Sequence, residues 1–215
     1  MNKPPNLTPT SYALLGLLAR NPQSAYELNA LMQTSLIRVF WPRVESHVYT
    51  EPKKLLQHKL VSRQKETLNG RNRMVYTITA KGKTALQAWL SSDVEVNLTM
   101  QAEFMLKLLL ADAGNVADVH NTLEKSLRAS RADLKLAIAG IREILSHEGR
   151  AQAGTPYNGI GINLMADILI ARYHWGHYAQ QATLEVDDEM SVSDKVALGR
   201  SAYTDALEKM EEALR

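Results

Sequence analysis

The chain of 215 residues contains no cysteine. Disulfides, thiol catalysis and cysteine-ligated zinc or iron–sulfur sites are therefore excluded. No apolar run approaches the roughly 18 residues that a membrane-spanning helix needs. The start, Met1-Asn2-Lys3-Pro4-Pro5-Asn6, lacks the charged-then-apolar order of a signal peptide, so a cytoplasmic protein is expected. Also missing are a nucleophile–base pair, a paired-carboxylate signature, metal-ligand spacing and a nucleotide loop. Neither an enzyme, a metal site nor a cofactor is expected on that ground. What remains is an ordinary globular composition, 45% hydrophobic and 22% charged, with enough chain to bury one sizeable core or two small ones.

The formal net charge of +2 conceals a division. Residues 1–92 hold 13 Lys and Arg against 4 Asp and Glu, whereas residues 93–215 hold 12 against 19. A basic half joined to an acidic half suggests that the first binds nucleic acid and the second has another task. Two domains, 1–92 and 93–215, are expected.

Within the basic half, Thr8-Pro9 reads as a helix cap followed by proline at the first helical position. Tyr12, Ala13, Leu14, Leu15, Leu17 and Leu18 then mark a buried helix ending near Asn21-Pro22. Ser24 and Glu27 have capping-box spacing, and Leu28, Leu31 and Met32 continue a second helix. Trp41-Pro42 breaks the chain. A third helix follows, through Ser46-His47-Val48-Tyr49-Thr50-Glu51-Pro52-Lys53-Lys54-Leu55-Leu56. At about 100° per residue, Val48, Pro52 and Leu55 share one side. Ser46, Thr50, Lys53, Lys54 and Gln57 lie opposite, flanked by His47 and Tyr49. Pro52 thus takes an inward slot. Because it removes a bond to the Val48 carbonyl and clashes with it, a kink or a frayed turn is expected between Tyr49 and Lys53.

Residues 60–66 and 73–79 read as strands around an Asn69-Gly70 turn, with Met74, Tyr76 and Ile78 on one face. Thr79 then caps a helix from Ala80 to Leu90. Three helices followed by a basic two-stranded hairpin make a winged helix-turn-helix. In that arrangement the third helix enters the major groove. Ser46, His47, Tyr49 and Thr50 suit base or phosphate contact, Lys53 and Lys54 suit phosphates, and Arg71 and Arg73 at the hairpin tip suit the backbone or the minor groove. Each basic pair taken singly is what any solvated face carries; their joint placement on one motif points to double-stranded DNA.

Residues 8–92 resemble the N-terminal domain of the PadR-like transcriptional regulators. The resemblance rests on Tyr12-Ala13-Leu14-Leu15-Gly16-Leu17-Leu18, Tyr26-Glu27-Leu28, Trp41-Pro42, Val48-Tyr49 with Glu51, Leu60-Val61, Val75-Tyr76-Thr77-Ile78-Thr79 with Gly82, and Trp89-Leu90. It implies a winged helix that binds operator DNA as a dimer, usually as a repressor released by an effector. The family's tyrosine carries over to Tyr49 and its wing to residues 67–73. The chain departs from the family at Ala25, where many members have glycine, at Pro52, often leucine, and at Lys59, commonly glycine.

The acidic half reads as helical. Thr99 opens a segment with Phe104, Met105, Leu108 and Leu109, closed by Gly114. Asn115 caps a long run with apolar residues at Val116, Val119, Leu123, Leu127, Leu134, Ile138, Ile141 and Leu145, spaced as in a packed seam. The pattern leaves open whether residues 115–147 form one helix or two. The stretch 149–161, with four glycines and a proline, reads as a loop. Helices follow over 162–185 and, after a cap at Ser191 to Asp194, up to Leu214. This half resembles, more loosely, the all-helical C-terminal region of longer PadR-like proteins, which implies dimerisation and an effector pocket. In Tyr173-His174-Trp175-Gly176-His177-Tyr178, helical spacing puts His174, His177 and Tyr178 near one face. Tyr173, His174, Trp175, His177 and Tyr178 either stack on a planar aromatic effector or serve core and dimer packing. The His-x-x-His pair has no third ligand nearby for a metal.

The function expected is thus a sequence-specific, DNA-binding transcriptional regulator: a homodimeric, ligand-responsive repressor on a palindromic operator. The alternative is a winged-helix module that docks a protein instead of specific DNA.

Overall fold

The computed structural model describes residues 7–35, 37–41, 45–68, 71–93, 100–146 and 155–215. The chain divides into two compact units, Met1–Leu98 with Gln152–Ile162, and Thr99–Ala151 with Asn163–Arg215.

The first unit opens with α1 (Pro9–Arg20), where Thr8 and Ser11 form a reciprocal capping box and Pro9 stands at the first position. A two-residue strand, β1 (Gln23–Ser24), leads directly into α2 (Ala25–Thr34). Ser24 caps α2, and the Glu27 carboxylate closes the box by accepting from the Ser24 backbone. A short α3 (Ile37–Phe40) follows and then α4 (Glu45–Gln57). Strands β2 (Val61–Leu68) and β3 (Arg71–Ile78) pair antiparallel from Val61 with Ile78 out to Leu68 with Arg71. Asn69 and Gly70, the expected turn, lie outside the described residues, as does Pro42. Helix α5 (Ala80–Leu90) is capped by Thr79, whose hydroxyl accepts from the Gly82 N–H.

Sequence patterning anticipates these helices and the hairpin, with three differences. The sheet has three strands in the order β1-β3-β2, because Gln23 and Ser24 pair with Tyr76 and Val75. Short α3 is an addition to the expected three helices. Val75 is buried beside Tyr76 and Ile78, whereas Met74 is exposed. β1 covers β3 only at its core end, so burial there extends to both faces and stops toward the tip.

The core joins Leu14, Leu15 and Leu18 of α1, Leu28 and Met32 of α2, and Val48 and Leu55 of α4 to Leu60, Val61, Tyr76 and Ile78. Pro52 is fully buried on the same side of α4 as Val48 and Leu55, as the helical wheel requires. Helix α4 nevertheless runs unbroken through residue 52, so the expected frayed turn does not form. One missing backbone bond and its clash cost about 3 kcal/mol in a helix interior. Burial of the ring with Val48 and Leu55 against α1 and α2 offsets that cost.

In the second unit, α6 (Glu103–Leu109) is followed by a 3-10 turn at Ala111–Ala113 that ends at Gly114. The Asn115 side chain accepts from the Asp118 N–H and starts α7 (Val116–Ser146), a single helix of 31 residues. The question of one helix or two is settled in favour of one. Helix α8 (Thr155–Ala182), which belongs to this unit from Asn163 onward, begins earlier than expected. Gly159 and Gly161 belong to its first turns, not to a loop. Thr155-Pro156 explains this: proline near the first helical position presets the backbone there, and the long helical run that follows absorbs about 1 kcal/mol per glycine. Helix α9 (Val192–Ala213) is capped by Ser191 as expected. Among the described residues no helix is long and apolar enough to cross a membrane.

Candidate nucleic-acid interface

The polar side of α4 is positioned by its apolar side. With Val48, Pro52 and Leu55 anchored in the core, Thr50, Lys53 and Gln57 emerge exposed and Tyr49 is 38% exposed. Lys53 projects into solvent. Lys54 is half-buried and its Nζ lies 3.4 Å from Glu51 Oε1. Glu51 in turn accepts a hydrogen bond from the buried Ser11 hydroxyl of α1, which ties the middle of α4 to the platform. The backbones of Ser46 and His47 belong to the first turn of α4. Their side chains, and that of Arg71, lie outside the described residues.

The C-terminus of α4 aims the wing. The Leu60 N–H donates to the Leu55 carbonyl at 3.0 Å and the Lys59 N–H to the Leu56 carbonyl at 2.9 Å. These are the paired bonds of a Schellman ending, with Leu55 and Leu60 both buried. Lys59 supplies the left-handed residue at φ 58°.

On the wing, Arg63 and Lys65 of β2 are exposed and make no ion pair among the described residues. Sequence reasoning missed both. Alternation could not have found them, because 63 and 65 share the strand face of buried Val61; they are exposed because burial of β2 stops after its first residue. Arg73 is placed differently. Its guanidinium meets Glu27 of α2 at 2.5 Å and Glu66 of β2 at 3.1 Å. Of the eight expected DNA contacts, Tyr49, Thr50, Lys53 and Lys54 are thus carried by one described helix, and Arg73 is engaged within the protein.

The aromatic cluster of α8 does not converge on one place. Tyr173 packs edge-on against His177, with ring centroids 4.8 Å apart, and lies 6.1 Å from His174. Trp175 meets Phe104 of α6 at 5.7 Å. Tyr178 lies under Lys209 Nζ of α9 at 4.5 Å and lines a cleft of about 600 Å³, with Asn115, Val119, Glu185, Lys195 and Asp205 around it. Packing on three sides accounts for these residues better than a shared stacking platform, because i, i+1 and i+2 positions of a helix face apart. Among the described residues no group of three or more His, Asp and Glu is placed to hold a metal.

Capped helices, a polar α4 seated on an apolar anchor, and a β2–β3 hairpin directly after it define a winged helix-turn-helix protein. Residues 14–88 match the model of the transcriptional regulator PadR-like family. The chain is 29% identical over 125 residues to the negative transcriptional regulator PadR of Bacillus subtilis (strain 168), covering 57% of this chain and 68% of that one. Its fold is similar to the crystal structure of Bacillus subtilis PadR in complex with operator DNA, with a TM-score of 0.69 at 20% identity over 80% of this chain and 98% of that one. The structure of the same regulator in complex with p-coumaric acid gives 0.65 at 20% identity over 81% and 98%. Residues 14–88 are thus a PadR-like domain.

Proposed function

We propose that the protein is a PadR-like transcriptional regulator, a homodimeric repressor that binds a palindromic operator through α4 and the wing and is released by a small aromatic effector. Residues 1–92 would be the DNA-binding domain and 93–215 the dimerisation and effector domain. The observation that carries the reading is the exposed row Tyr49, Thr50 and Lys53 on α4, held outward by buried Val48, Pro52 and Leu55. Ser46 and His47 precede that row on the same helix, and Arg63, Lys65 and Arg71 on the wing supply further positive charge for phosphates.

Three further features support the finer terms. The relative in Bacillus subtilis is named a negative regulator, and its structures hold operator DNA and p-coumaric acid. Helix α9 buries none of its residues and leaves Val192, Val196, Tyr203, Leu207, Met210 and Leu214 exposed at steps of four, seven, four, three and four. Such a stripe is the pattern of a helix seam awaiting a partner. Two recognition helices about 34 Å apart would then read successive major grooves of a palindrome.

The test is binding of the full chain to duplex from its own upstream region against random duplex, by fluorescence anisotropy across a salt series. Preference for the upstream duplex is expected. K53A should lower the slope of log K against log salt by about 0.9. Equal affinity for both duplexes would overturn sequence-specific regulation and favour a protein-docking module. A reporter behind the bound site decides between repression and activation.

A further inference from the structure

Arg73 is a basic residue on the wing, yet its surroundings are those of a strut. Nη1 donates to Glu27 Oε1 at 2.5 Å and Nη2 donates to Glu66 Oε2 at 3.1 Å. Its Nε is buried. Glu66 stands directly opposite Arg73 in the β2–β3 register. Glu27 uses its other oxygen, Oε2, to accept from the Ser24 N–H at 2.7 Å and from the Ser24 hydroxyl at 2.8 Å. One carboxylate therefore closes the N-terminus of α2 and grips the wing at once.

The position matters because of where the sheet ends. β1 supports β3 only at Tyr76 and Val75. Beyond them the hairpin is two-stranded, and a two-stranded ribbon is marginally stable by itself. Arg73, two residues further toward the tip, extends the tether from β1 and α2 into that unsupported part. A planar guanidinium can meet two carboxylates in a fixed fork, which an ammonium cannot reproduce. Two carboxylates on one guanidinium also leave the group with a net negative charge, a poor surface for a phosphate.

We propose that Arg73 is a positioning residue that fixes the wing against α2 through Glu27 and Glu66 and does not itself contact DNA. The inference rests on the winged-helix reading of DNA binding and sharpens it: the wing's phosphate contacts fall to its other cations.

The experiment uses the full chain with R73K and E27Q, with two readouts. Glutamine keeps the capping box, since its carbonyl still accepts from the Ser24 backbone, so E27Q removes the ion pair while leaving α2 capped. The first readout is affinity for the upstream duplex over a salt series. Both variants are expected to bind roughly three- to tenfold more weakly, with the wild-type salt slope, because no phosphate contact is lost. A phosphate-contact role predicts the reverse pattern. R73K would then bind like wild type, E27Q would bind more tightly because the arginine is released, and R73A would lower the slope by about 0.9. Any of these three results overturns the proposal. The second readout needs no DNA: amide hydrogen exchange over residues 64–67 and 72–74 should quicken in both variants, and unchanged exchange overturns the strut. If the wild-type chain shows no preference for the duplex, the DNA reading fails, and exchange alone decides the role of Arg73.

Discussion

Gly82 of α5 lies against the carbonyl oxygen of Leu60 so closely that a Cβ there would overlap it, and would crowd Ile78 as well. The same carbonyl accepts from the Thr79 N–H at 3.0 Å and from the Thr79 hydroxyl at 3.0 Å. The end of α4, the end of β3 and the start of α5 therefore meet at one oxygen. The obstacle is backbone, which cannot rotate away. G82A is expected to destabilise the winged helix by about 2 to 3 kcal/mol, the usual scale of overpacking. Urea denaturation followed by circular dichroism checks this, and a variant as stable as wild type would contradict the close approach.

Lys59 adopts the left-handed conformation that favours glycine. K59G should stabilise the protein by about 1 kcal/mol, the strain relieved less the greater freedom glycine brings to the unfolded chain. The melting temperature should rise by a few degrees. A fall would mean that the lysine side chain contributes more than its backbone costs.

Glu27 has its pKa lowered from 4.5, first by the Ser24 backbone N–H, with the Ser24 hydroxyl and Arg73 adding to that and partial burial opposing it. A folded pKa below the unfolded one gives a contribution that is fully present above about 4.5 and is lost as pH falls through the lower folded value. The stability difference between wild type and E27Q should therefore be constant from pH 7 to about pH 5 and shrink below that. Denaturation midpoints of the two proteins at matched pH values give the result. A difference that persists undiminished at pH 3 would mean that the carboxylate charge is not what matters.

The exposed stripe on α9 predicts the route to a monomer. Tyr203 is 80% and Leu207 53% exposed in the single chain. Y203K with L207K should shift sedimentation equilibrium toward monomer and weaken operator binding at least tenfold, since two half-sites would no longer be engaged together. The helical content of the variant should stay unchanged. A dimer as tight as wild type would move the interface away from α9.

Local features were legible because each is written within a few residues. Thr8, Ser24, Thr79, Asn115 and Ser191 all cap helices where the pattern places them. The inward placement of Pro52 follows from periodicity alone, because 100° per residue sends it to the side of Val48 and Leu55 whatever those side chains later touch. Composition misled at residues 155–161. A glycine-rich segment looks like a loop when judged residue by residue, but helix formation is cooperative over the long run that follows.

By itself, then, the sequence determined the winged-helix order of elements, the face of α4 that points outward and the helical nature of the second half. These depend on periodicity, caps and turn residues, which act over one or two turns of chain. Only the tertiary structure decided whether α4 survives Pro52, whether Gln23 and Ser24 form a strand, and what Arg73 does. The strand exists because β3 presents an open edge, and Pro52 is tolerated because the core encloses it. Arg73 is engaged because a carboxylate 46 residues earlier is folded against it. Interactions between segments distant in the chain leave no periodic trace, so an arginine that binds a phosphate and one that braces a hairpin look the same until their partners are in place.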